Sequence, residues 1–391
     1  MASSRISRAV RDLPGYPLAG IARRKKELAD AGVDVIDLGA GDADLPPPPA
    51  AVEALRAAAS DPRLSRYPFQ LGLPAFREEV AGWMGTRFGV EVDPYQEVLP
   101  LIGSKEGIAH LAMTVVDPGS AGIIPDPGYQ PYIGGTLLAG GTPELVALRE
   151  EKGFRIPLDE LPDELLQRAR ILFLNYPNNP TAGTADLEYF RHAVELCRRH
   201  EVVLVHDHAY SEIAFDGYRP PSLLEAEGAM DVGIEFHSLS KTYNLTGWRL
   251  GWAAGNAELI EALSKVKSYV DTGAYLGIQS AGVAALQSWA TWVPENVARF
   301  QARRDVLVDA LRRQGFHVSP PRATMYGWIP VPTGETSEAF AERALEEEAV
   351  VVLPGGGLGR GGEGFIRLAL TVEEARLEEA ATRLGRVASR A

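Results

Sequence analysis

From Glu97 to His206 short apolar runs alternate with amphipathic stretches, and that alternation limits the fold more than any other feature of the chain. Val98–Ile102, Ala121–Ile124, Ile171–Asn175 and Val202–His206 predict strands, while Ile108–Val116 and Leu187–His200 predict helices. Strands apolar on both sides, separated by helices, are buried as a largely parallel sheet covered on both faces. Pro100 inside the first run weakens that element. Before this region come predicted helices at Leu18–Ala31, Ala50–Ala59 and Pro74–Phe88, a strand at Val33–Leu38, and the stiff proline tract Pro46–Pro49. After it the pattern changes. Helices at Ala274–Trp292, Glu295–Gln314, Ser337–Glu348 and from Val372 mix with strands at Tyr326–Val331, Val350–Leu353 and Phe365–Leu370. The chain therefore reads as an α/β protein: an N-terminal segment, 1–45, joins a smaller α+β domain at 291–391, and a large domain spans 46–290.

In an open α/β sheet, ligands gather beyond the carboxyl ends of the strands, and several polar signals fall there. The stretch Phe236–Trp252 sets Lys241 after Ser238 and Ser240 and before Arg249. A lysine amine can attack a carbonyl and form a Schiff base, while two hydroxyls and a guanidinium suit phosphate oxygens. Pyridoxal 5'-phosphate carries both an aldehyde and a phosphate, and it takes an acidic partner at its ring nitrogen. Asp207 ends an apolar strand three residues before Tyr210, and Asn179 sits in the turn Asn175–Thr181. Ser104 and Lys105 open a helix whose free N–H groups suit a phosphate. Tyr129 offers a flat ring, and Arg367, between apolar neighbours, must meet solvent or an anion such as a carboxylate. Taken singly, each signal has a plain alternative: a turn, an N-cap or a solvated arginine.

Composition removes other classes. A formal net charge of -13 gives no electrostatic footprint for nucleic acid, and no run of apolar residues is long enough to cross a membrane. Cys197 is the only cysteine, so neither a disulfide nor a cysteine-based zinc site can form within the chain, and a cytoplasmic location is expected. Gly357–Gly362 matches G-x-G-x-x-G, but a strand follows it where a nucleotide fingerprint needs a helix. His206 and His208 lie two apart and could face one metal, yet the role read for Asp207 between them requires the opposite face of the strand; no metal is expected.

The ordered set of motifs resembles the class I/II aminotransferases of the aspartate aminotransferase type, a fold-type I pyridoxal-phosphate family. It comprises the Gly41 loop, Tyr67, Ser104-Lys105, Tyr129, N-N-P-T at Asn178–Thr181, D-x-x-Y at Asp207–Tyr210, S-x-S-K at Ser238–Lys241, Arg249 and Arg367. The resemblance implies a seven-stranded-type sheet and a Schiff-base role for Lys241. It implies that Asp207 pairs with the pyridine nitrogen, that Asn179 and Tyr210 hold the ring oxygen, and that Tyr129 stacks on the ring. Ser104, Lys105, Ser238, Ser240 and Arg249 would bind the phosphate, and Arg367 the substrate α-carboxylate. Tyr67 would reach the phosphate of the neighbouring subunit of a homodimer. Gly15-Tyr16, G-S-K-E-G-I and G-I-E-F-H-S-L-S-K-T-Y are most similar to the branch containing LL-diaminopimelate aminotransferase, where Tyr16 and Gly41 align with substrate contacts. The implied activity moves an amino group from an L-amino acid to a 2-oxo acid, 2-oxoglutarate or pyruvate. Two departures stand out: Ser268–Leu276 lacks the asparagine of that branch, and Ala182 replaces the glycine of N-P-T-G. A carbon-sulfur β-lyase and a regulatory cofactor-binding module are the competing readings.

Overall fold

The computed structural model describes residues 5–15, 19–69, 71–332 and 334–390. Seven strands form the main sheet: β2 (Val98–Leu101), β3 (Ala121–Asp126), β4 (Thr142–Ala147), β5 (Ala169–Leu174), β6 (Val203–Asp207), β7 (Gly233–Ser238) and β8 (Gly251–Gly255). They lie in the order β2-β8-β7-β6-β5-β3-β4. β3, β4, β5, β6 and β7 pair in parallel, and β8 runs antiparallel between β7 and β2. Every residue of β3 is buried, as two covered faces require. On one face Ile108, Leu111 and Ala112 of the helix Ser104–Val115 pack on Ile171, Phe173 and Val205. On the other, Phe190, Ala193, Val194 and Cys197 of the helix Leu187–His200 meet Leu172 and Leu204. Pro100 is tolerated because β2 is an edge strand, paired only with β8.

The remaining strands are β1 (Ile36–Asp37), β9 (Tyr326–Pro330), β10 (Val350–Val351), β11 (Leu353–Pro354) and β12 (Phe365–Ala369). β11, β12 and β9 form an antiparallel sheet, and β1 pairs in parallel with β10. Ile36 and Leu38 thus enter a core with Phe340, Ile366 and Leu377, so the N-terminal segment packs with the C-terminal elements. Tyr210, Ile213 and Phe215, just past β6, enter the same core and tie it to the main sheet.

Two expected helices are redrawn. The break falls at Ser288, between helices Leu276–Gln287 and Trp289–Arg313, and not before Glu295. The Ser288 N–H and hydroxyl both turn back onto the Ala285 carbonyl, which closes the first helix. Pro294 lies inside the second helix, past its unpaired first turn, so it removes one i→i−4 hydrogen bond. Helices Gln130–Leu138 and Ala257–Val270 and strands β4, β7 and β8 were not among the expected elements.

Candidate active site

Asp207 ends β6, Ser238 ends β7, and Asn175 follows β5, so all three fall at the carboxyl edge of parallel strands. They line a cavity of about 280 Å³ between that edge and the C-terminal sheet. From the main-sheet side come Ser104, Lys105, Tyr129, Asn179, Asp207, Tyr210, Ser238, Ser240, Lys241 and Arg249; Gly41 and Arg367 close the opposite wall. The structure therefore brings together twelve of the fourteen residues singled out in the sequence. Tyr16 lies outside the described residues. Tyr67 is 69% exposed and does not line the cavity of its own chain. The segment 268–276 does not line it either, and Tyr269 is 88% exposed.

Local backbone explains the cationic corner. Gly103 precedes the helix Ser104–Val115 with φ +73°, and a Cβ there would lie 2.2 Å from Arg249 Nη2. Only glycine lets the guanidinium lie against the start of that helix. Arg249 itself adopts φ 56°, donates from Nη1 to Thr246 O at 2.8 Å, and approaches Ser240 Oγ at 3.5 Å. The hydroxyls of Ser238 and Ser240, the guanidinium and a helix N-terminus thus share one end of the cavity, a donor set made for phosphate oxygens.

At the floor Asp207 is almost fully buried. Tyr132, absent from the sequence reading, donates its hydroxyl to Asp207 Oδ2 at 2.8 Å. Its ring stacks on Phe173 with centroids 4.8 Å apart, which fixes the direction of that donor. Asp207 Oδ1 has no hydrogen-bond partner among the described residues. Burial pushes the Asp207 carboxyl up to about 6, a rise limited by the Tyr132 bond and by the neighbouring His206. Burial also holds the Tyr132 phenol well above its ordinary value, so it remains a donor.

Behind Asp207, away from the cavity, Glu235 accepts from Ser222 Oγ at 2.8 Å and lies 2.7 Å from both His206 Nδ1 and His237 Nε2. His206 and His208 rings are 4.4 Å apart in this layer, and burial pushes His208 down to about 3. Asp207 and the histidines do take opposite sides of β6, and Glu235 and His237 are members of the buried group that the sequence reading did not collect.

On the roof Arg367 donates from Nη1 to Asn179 Oδ1 at 2.8 Å and from Nη2 to Gly39 O at 2.7 Å. Its guanidinium lies 4.2 Å from the Tyr326 ring centroid, and its Nε has no partner among the described residues. Tyr326 is a second residue the sequence reading missed; a tyrosine on a strand gives no signal apart from ordinary core. Lys241 Nζ donates to Gly41 O. The glycine run that resembled a nucleotide fingerprint forms short turns before β12, and the Gly361 N–H donates to Asp126 Oδ2 at 3.1 Å.

Residues 33–384 match the family described as aminotransferase class I and II. The chain belongs to this family. Among curated relatives, an LL-diaminopimelate aminotransferase from Moorella thermoacetica is 48% identical over 97% of this chain and 98% of its own length. Another of that name, from Dehalococcoides mccartyi, is 46% identical over 99% of this chain and 100% of its own. Among solved structures, substrate-bound BacF from Bacillus subtilis superposes with a TM-score of 0.95 at 33% identity, covering 98% of both chains. A probable N-succinyldiaminopimelate aminotransferase from Thermus thermophilus gives 0.90 at 38% identity, covering 94% of this chain and 99% of that one.

This aminotransferase is a fold-type I enzyme that depends on pyridoxal phosphate. The residues present fit that cofactor. Asp207, a buried carboxylate with one unpartnered oxygen, lines the cavity and gives a cation a place. The hydroxyl, guanidinium and N–H donors that a phosphate requires line the same cavity, as does the Lys241 amine.

Proposed function

We propose that this aminotransferase takes a diaminopimelate-like L-amino acid as donor and a 2-oxo acid, 2-oxoglutarate or pyruvate, as acceptor. The names of its nearly half-identical relatives support the donor. The observation that carries the reading is the pairing of Arg367, which closes one wall, with Lys105 and Gln130 elsewhere on the cavity lining. Arg367 grips the α-carboxylate with its fork, while Lys105 and Gln130 offer a cation and an amide to a second polar end. Aspartate, glutamate and alanine are the shorter candidates.

When bound, pyridoxal phosphate supplies an aldehyde and an electron-withdrawing ring. Lys241 would hold the aldehyde end of the cofactor, and its amine is the base that would take the proton from the substrate Cα. Asp207, kept in line by Tyr132, meets the ring nitrogen as a carboxylate. Asn179 and Tyr210 would hold the ring oxygen, and Tyr129 would stack on the ring. Ser104, the Lys105 backbone, Ser238, Ser240 and Arg249 hold the phosphate, and Tyr16 and Gly41 complete the substrate side.

We read the segments 1–45 and 291–391 as one small domain and 46–290 as the large one, supported by the shared core of Ile36 and Leu38 with Phe340. The enzyme works as a cytoplasmic homodimer in which Tyr67 serves the neighbouring subunit; the exposure of Tyr67 supports this. Among the described residues no helix is long and apolar enough to cross a membrane.

The test is a spectrophotometric half-reaction screen of cofactor-loaded protein against single amino acids: LL-diaminopimelate, aspartate, glutamate, alanine and the aromatic amino acids. Conversion to the amine-form spectrum with LL-diaminopimelate, far faster than with the shorter donors, is expected. Conversion by aspartate or alanine alone would reject the long donor.

A further inference from the structure

We infer that Tyr326 is a positioning residue for both ends of the reaction site, its ring setting the carboxylate-gripping Arg367 and its hydroxyl setting Tyr210. The inference rests on the roles proposed above for Arg367 and Tyr210 and goes beyond them. Tyr326 begins β9, where it pairs with Ala369 of β12, two residues from Arg367. Arg367 therefore lies beside it in the same antiparallel sheet, and the guanidinium carbon stands 4.2 Å from the Tyr326 ring centroid. A planar cation on an aromatic face is held flat without using any of its N–H groups. Its two terminal nitrogens are tied down by Asn179 and Gly39, so the ring supplies the third fixed point that sets the plane of the fork. Replacing the ring leaves those two bonds but frees the guanidinium to tilt about them.

The hydroxyl does separate work. Tyr210 OH and Tyr326 OH are 3.2 Å apart, and both side chains are buried. A Cβ on Gly41 would lie 2.0 Å from the Tyr326 oxygen, so the hydroxyl is pressed against the backbone of the loop that also receives the Lys241 amine. In this structure Tyr210 donates to Tyr326. With its proton given to a ring oxygen of the bound cofactor, Tyr210 would keep an acceptor lone pair free, and Tyr326 would donate to it. One hydroxyl thus keeps Tyr210 aimed in either state. Burial pushes the Tyr326 phenol up, yet the charges of Arg367 and Lys241 bring it below its ordinary value, so its proton is readily shared.

Two substitutions separate the two effects. Tyr326→Phe keeps the ring and removes the hydroxyl; Tyr326→Leu removes both. Each is loaded with pyridoxal phosphate, its visible absorbance is titrated against pH, and kcat and KM are measured for the best donor. In Tyr326→Phe the midpoint of the absorbance titration is expected to move by at least about half a pH unit, with KM changed less than about twofold. In Tyr326→Leu the same shift is expected together with a rise in KM of about tenfold or more, because the carboxylate fork is no longer held flat. An unmoved midpoint in Tyr326→Phe overturns the inference, and does so even if Tyr326→Leu fails to fold. Equal KM changes in the two variants also overturn it, since the ring would then have no role of its own. If the parent protein takes up cofactor but Arg367→Ala leaves KM unchanged, the failure lies in the proposed carboxylate site, and the inference falls with it.

Discussion

Asp207 is costly to keep charged without a partner. Its carboxyl ordinarily titrates near 3.8, but burial pushes it up to about 6 in the folded chain. Because the folded value is the higher one, stability falls as pH rises from about 4 to 6 and stays at the lower level above that window. A rise from 3.8 to about 6 sets a ceiling of about 3 kcal/mol on that loss. Asp207→Asn is therefore expected to melt at a higher temperature than the parent at pH 7.5 in the absence of cofactor, with the gain shrinking as the pH is lowered towards 4. The same variant should bind pyridoxal phosphate at least about tenfold more weakly, since an amide cannot meet a ring cation as a charge does. A melting difference that stays constant from pH 4 to 7.5 would assign the effect to packing and not to charge. Lys241→Ala makes a different loss. On the role proposed above it removes the covalent link and the proton-moving amine together, so turnover should fall by a factor of about 100 to 10000 while cofactor still binds. The place of both on the cavity wall was legible in the sequence, Asp207 from a strand end and Lys241 from its two serines. Tyr132 and Tyr326 were not, because each is a tyrosine on a buried face whose task depends on a residue distant in the chain: Asp207 for the first, Tyr210 and Arg367 for the second.

At the scale of elements, the turn from Asn175 to Gly183 shows how a loop is made rigid enough to present Asn179. Asn175 Oδ1 accepts from the Asn179 N–H at 2.8 Å, and Asn178 Oδ1 accepts from the Thr181 N–H at 3.0 Å and from its hydroxyl at 2.8 Å. The Ala182 N–H closes the turn onto Asn178 O at 2.9 Å, which puts Ala182 at φ 58°. A Cβ in that left-handed region costs about 1–2 kcal/mol, partly offset by the greater freedom glycine has when unfolded. Ala182→Gly is expected to stabilise the protein by about 0.5–1 kcal/mol, read as a small rise in melting temperature with the hydrogen-bonded turn intact. A lower melting temperature would mean that the alanine methyl has packing worth more than the strain. Elements with strong local signals were legible to the residue: Pro74–Phe88 carries proline in its first turn, and Leu187–His200 is capped by the Asp186 side chain on the Tyr189 N–H. β8 was missed because Gly251–Gly255 is rich in glycine and alanine and becomes a strand only by pairing on both sides with β7 and β2. β4 was missed for the opposite reason: it is a half-exposed edge whose pattern alternates weakly.

At the scale of the whole molecule, several large apolar side chains among the described residues are uncovered. Tyr67, Phe69 and Leu71 are 69%, 66% and 49% exposed on one loop, and Tyr269 is 88% exposed at the end of the helix Ala257–Val270. Clustered exposed aromatic residues mark surfaces that meet another molecule. Nothing in the sequence distinguishes such a loop from solvent-facing punctuation, which is why only the resemblance pointed to a neighbouring subunit. If Tyr67 completes the phosphate end of the partner's site, sedimentation should give twice the 42.2 kDa chain mass, and Tyr67→Ala should weaken cofactor binding about tenfold. A mixed dimer decides between the two geometries. Tyr67→Ala and Lys241→Ala chains, each defective alone at limiting cofactor, form hybrids in which one site takes Lys241 from the first chain and Tyr67 from the second. That site is intact only if Tyr67 crosses the interface. Equal mixing then restores about a quarter of the parent's sites, because half the dimers are hybrids with one good site each. If Tyr67 served its own chain, every site in the hybrid would lack one of the two residues, and refolding the chains together would restore nothing.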